Sequence, residues 1–336
     1  MKEPEMHNSS RTPISDPKLR RNQSDRHDQP FLLPQQRILA NSFEDNHCEG
    51  RLKSELEQLL AHFQDSFITP CTAWAAAGAV PDSDCNTIFY PFGGPDILFP
   101  LALFPKAREL VLVGREPCWL QSNFSMAKVT DVIRHYLRTS FFITEDLKHD
   151  LSTPSLSSIL PLLLVQLGWT GHTLLSVDEI NTDSGFCISF HGPDGVREIR
   201  YFRQDLRNEF FSDESLLFRH IVASEKCITF LKSASYLLHE PHFSILRQLI
   251  KRQTHLLAQD PSGLPYSLLC NWGWDMELHG CFTSDIPPFS HKYDQNSLRT
   301  AYQEKGNGTP LPFGFGYLKY PTSAAIIIAR SHHDRV

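Results

Sequence analysis

Two glycines, Gly93 and Gly94, close the apolar run Ile88–Phe92, and an acid, Asp96, follows. A second apolar run, Leu110–Val113, ends in Gly114-Arg115-Glu116. In an open α/β sheet, such a turn lets a ligand approach the backbone. An acid about twenty residues on, at the end of the next strand, accepts the hydroxyls of a ribose. The simpler alternatives are that the glycines only permit positive φ, and that Glu116 is a solvated acid before Pro117. The Asp96 carboxylate is placed to orient a substrate or accept a proton, or else to cap a following helix. His239 is a general-base candidate within His239-Glu-Pro-His242. A metal needs more ligands than these two histidines, so they read as loop residues. Tyr90, Phe92, Tyr236, Trp272 and Trp274 either line a pocket or belong to the core.

The elements that must hold these residues alternate. Leu52, Leu56, Leu59, Leu60 and Phe63 recur at helical spacing and predict an amphipathic helix over 49–67. Strands are expected over Thr87–Phe92, Leu110–Val113, Cys227–Leu231 and Ala324–Ala329. Helices are expected over Phe124–Thr139, Ser155–Leu167 and Phe243–Ala258, with a further strand at Leu264–Leu269. Pro100 sits where a helix from Asp96 would need a backbone donor, so that helix either starts near Pro100 or is a single distorted turn. His191-Gly-Pro-Asp-Gly195 is turn chemistry between two alternating segments and predicts a β-hairpin with one wet face. The expected architecture is α/β: a Rossmann-like, mostly parallel sheet with flanking helices and an antiparallel hairpin or edge strand. Residues 1–40 read as a disordered polar tail, 41–84 as a helical lead-in and 85–336 as the α/β domain.

Composition narrows the functions. The net charge of −6 gives no basic field to hold nucleic acid. The longest apolar stretches, Ile159–Leu167 and Ala324–Ala329, are too short to span a bilayer, so no membrane association is expected. Met1–Met6 opens no apolar leader, and eight scattered cysteines without a C-x-x-C pair read as reduced thiols, so a cytoplasmic location is expected. No Walker lysine follows the glycines, and no G-x-S-x-G elbow or G-x-G-x-x-G fingerprint occurs, which argues against a P-loop, an ordinary hydrolase and a nicotinamide enzyme.

Residues 85–330 resemble a divergent class I methyltransferase, the S-adenosylmethionine-dependent Rossmann-like family. Gly93 and Gly94 match that family's turn after its first strand, and Glu116 matches the ribose-holding acid after its second. Phe230–His239 looks like the fourth strand with its loop, and Leu256–Gly263 like the turn before the fifth; the family's last strand is antiparallel. This chain departs from the pattern in having no acid before the glycines and a proline, Pro95, after them. The resemblance implies S-adenosylmethionine held by Tyr90, Gly93, Gly94, Glu116 and Ser233. Asp96 and His239 would face a small-molecule acceptor, with in-line positioning as the main catalytic requirement. Phe89–Asp96, Leu112–Pro117, Phe230–His239, Leu256–Tyr266 and Leu311–Tyr317 also resemble a bacterial family of unassigned function. The alternative from another class is a non-catalytic Rossmann-like binding or interaction protein that keeps the fold with a degraded turn.

Overall fold

The central strands Thr87–Tyr90 and Cys227–Leu231 are buried at every position because they are covered on both faces. The computed structural model describes residues 47–81, 85–118, 126–143, 159–181, 184–192, 194–224, 226–282, 286, 293, 295–306 and 308–332. The expected polar tail lies outside them.

The lead-in is helical: α1 (His47–Phe63) and α2 (Thr69–Trp74), each followed by a π-helical stretch, Gln64–Ile68 and Ala75–Ala79. β1 (Thr87–Tyr90), α3 (Leu98–Leu103) and β2 (Glu109–Gly114) follow, then α4 (Met126–Thr139) and α5 (Leu160–Trp169). Three consecutive strands come next: β3 (Thr173–Asn181), β4 (Gly185–Gly192) and β5 (Gly195–Arg203). The remainder runs α6 (Leu216–Ala223), β6 (Cys227–Leu231), α7 (Ser244–Gln253), β7 (Thr254–Gln259), α8 (Tyr266–Trp272), β8 (Asp275–Gly280), α9 (Asn296–Glu304) and β9 (Ala325–Arg330).

One nine-stranded sheet takes the order β3-β4-β5-β2-β1-β6-β7-β9-β8. Its centre, β5-β2-β1-β6-β7, is parallel. β9 runs antiparallel to both β7 and β8. Counted among the parallel strands alone, the order is third, second, first, fourth, fifth, sixth, which is the Rossmann order. The last strand of the chain is inserted between the fifth and the sixth. Alternate residues face opposite layers. Ile88, Leu110, Leu112, Ile228, Phe230, Ile326 and Ile328 meet the layer of α1 to α5, whereas Phe89, Val111, Val113, Leu257 and Ile327 meet α6 to α9.

The structure corrects the sequence reading at three places. The periodic apolar segment read as one helix to Ala258 ends at Gln253, and β7 starts at the next residue. The strand expected at Leu264–Leu269 is instead mostly helix: after Leu264 and Pro265, the residues from Tyr266 on form the start of α8. The hairpin has a third strand: β3 pairs antiparallel with β4 and carries the sheet edge. Its half-exposed, charged face gives little apolar signal. Among the described residues, no helix is long and apolar enough to cross a membrane, and no disulfide joins the cysteines.

Candidate functional site

β1 connects to β2 on one side, while β6 lies on the other, so the strand order reverses between β1 and β6. Open α/β sheets place ligands in the crevice at such a switch point, beyond the carboxyl ends of the strands. Four of the segments singled out in the sequence contribute side chains or backbone here: those containing Asp96, Lys232, Asp260 and Gly316.

Asp96 is 2% exposed. Its Oδ2 accepts from Lys232 Nζ at 2.6 Å and from the Tyr90 hydroxyl at 3.3 Å, and its Oδ1 accepts from the Tyr136 hydroxyl at 2.9 Å. Lys232 is the residue immediately after β6, and its ammonium also donates to the Ser140 carbonyl just past the end of α4. The Phe99 ring lies 4.4 Å from that ammonium. A cation at the carbonyl end of a helix and over an aromatic face is favourably placed. The Tyr90 hydroxyl also donates to the Lys232 carbonyl at 3.2 Å, tying the β1 and β6 ends together. Burial, followed by the neighbouring Asp96 charge, holds the Tyr90 and Tyr136 hydroxyls well above the usual phenol range. Both are therefore donors and not bases at neutral pH.

The loop bearing Asp96 is fixed from below. Gln166, the buried amide on α5, donates to the Pro95 carbonyl at 2.7 Å and accepts from the Ile97 N–H at 3.5 Å. Asp96 caps no helix: α3 begins at Leu98 without a side-chain cap. The carboxylate is committed to Lys232 and the two tyrosines instead.

A second carboxylate, Asp260, follows β7 and is fully buried. It accepts from the backbone N–H groups of Ser233 (3.0 Å) and Ser262 (2.9 Å) and from the Ser262 hydroxyl (2.6 Å). Burial raises its pKa, partly offset by these hydrogen bonds and by Lys232 nearby. The loop it holds is unusual: Ser233, Ser235 and Tyr236 all have φ between 54° and 58°. Three left-handed non-glycine residues in four positions persist only where the surroundings over-determine them. The Tyr317 hydroxyl donates to the Ser233 carbonyl at 3.0 Å and pairs with the Ser235 hydroxyl. Gly316 has φ +64°, and a Cβ there would fall on the Asp260 carboxylate.

The expected site residues divide. Tyr90, Asp96 and Ser233 converge with Lys232. Gly93 and Gly94 lie in the same turn and are buried; the Tyr90 ring occupies the space a Cβ on Gly93 would need, and the Gly94 N–H donates to the Val113 carbonyl at 3.3 Å. Glu116 stands at the same sheet edge, after β2, but is 0% exposed. Its carboxylate lies over Gly114, and the Tyr201 hydroxyl donates to its backbone carbonyl at 3.0 Å and to its Oε2 at 3.4 Å. His239 sits in a 3-10 turn, its ring against Tyr236 and Tyr293. Among the described residues, the buried Ser233 Oγ and His239 Nε2 have no hydrogen-bond partner. Lys232, Tyr136, Ser140, Asp260 and Gln166 were not foreseen. A lysine directly after an apolar strand and a lone glutamine in an apolar helix were the available signals. Among the described residues, no three His, Cys, Asp or Glu side chains form a metal-binding group.

Burial pushes the His239 pKa down to about 4, against a backbone hydrogen bond with Gly263 that favours the charged ring. The ring is neutral at pH 7 and is a weak proton acceptor, which bears against a general-base role. The folded-state pKa is depressed, so its contribution to stability is full above the unfolded value near 6.5 and is lost as pH falls toward 4. Urea unfolding is expected to show wild type losing about 2 kcal/mol more than His239→Gln between pH 7.5 and 5. Equal losses would mean that the ring is solvated.

These features define an α/β protein with a Rossmann-order sheet and a buried, ion-paired switch point. Comparison with known proteins finds no matching family model, curated protein or solved structure.

Proposed function

We propose that the chain is a non-catalytic binding protein on a Rossmann-like sheet, its switch point turned into a structural lock. The observation that carries this reading is the Lys232–Asp96 pair, bracketed by Tyr90, Tyr136 and Phe99, in the place where the fold otherwise seats a ligand. Two further facts support it. The Tyr90 ring stands over Gly93, where a cofactor would need to approach backbone, and the Glu116 carboxylate is turned onto Tyr201.

A second reading is methyl transfer from S-adenosylmethionine to a small-molecule acceptor. The antiparallel last strand inserted into a Rossmann-order sheet favours it. Under that reading Tyr90, Gly93, Gly94, Glu116 and Ser233 hold the cofactor, and Asp96 and His239 face the acceptor. The lock would have to open first, releasing Asp96 from Lys232.

Isothermal titration of the full chain with S-adenosylmethionine, S-adenosylhomocysteine and NAD separates the two. The binding-protein reading expects no saturable heat at high micromolar ligand. Saturable S-adenosylmethionine binding that disappears in Glu116→Ala would replace it with the methyltransferase reading.

A further inference from the structure

No further inference is drawn: the strongest candidate, the open groove of about 710 Å³ beyond the carboxyl ends of β2 and β5 that Arg115, Arg203 and Arg207 line, carries nothing, because Arg115 and Arg207 are already committed to Asp205 and Arg203 to the Arg115 carbonyl, and nothing in the structure shows what would fill it.

Discussion

Lys232→Met is expected to lower the unfolding free energy by about 3–5 kcal/mol, the usual cost of stranding one member of a buried ion pair. The side chains of Lys232 and Asp96 are 0% and 3% exposed, so water cannot replace the lost partner. Two tyrosine hydroxyls would remain on Asp96, but they solvate a charge less well than an ammonium does. The double variant Lys232→Met/Asp96→Leu removes both charges and is expected to cost less than the sum of the single changes. Urea unfolding of all four proteins completes the cycle, and a coupling of about 1–3 kcal/mol is anticipated. Strict additivity, with each single change costing under about 1 kcal/mol, would mean that the pair does not hold the two loops. The methyltransferase reading would then regain ground, since an opening switch point is what it requires.

Gly316→Ala is the second large effect. Two penalties coincide there: a φ of +64°, and a Cβ that would collide with the Asp260 carboxylate. Gly306 isolates the first of these, because its φ is +78° and nothing lies within 4 Å of a Cβ built on it. Gly306→Ala should therefore cost about 1 kcal/mol, as for an ordinary left-handed glycine. Gly316→Ala should cost about 3 kcal/mol or more, because Asp260 must move and release the Ser233 and Ser262 amides. Thermal and urea unfolding of the two variants side by side measure the difference. Matching losses would show that the Asp260 side chain is free to swing away and that the loop after β6 is not tightly pinned.

Much of the sheet was legible because its central strands are buried on both faces. β1, β2, β6 and β9 announce themselves as short unbroken apolar runs. The β4–β5 hairpin was marked by its Gly-Pro-Asp-Gly turn. β7 was hidden because the apolar spacing of α7 continues through Leu256 with no glycine or proline at the join. β3 was hidden because an edge strand carries little apolar signal. At the site, Asp96 was visible as an acid after a glycine turn, but its role was not. Its cationic partner lies 136 residues away, and a lysine after a strand ordinarily reads as solvated. Glu116 had the spacing of a ribose acid. Its orientation was set by Tyr201 on β5, a contact that local spacing does not encode.

The two outermost strands carry their own instruction about self-association. β3 leaves Asp178 and Glu179 exposed, and β8 leaves Asp275 and Glu277 exposed. A neighbouring copy offering its own β3 to the β3 rim would bring carboxylates against carboxylates, and charge on an edge strand discourages fibril-like stacking. The molecule is thereby steered away from growing by strand addition.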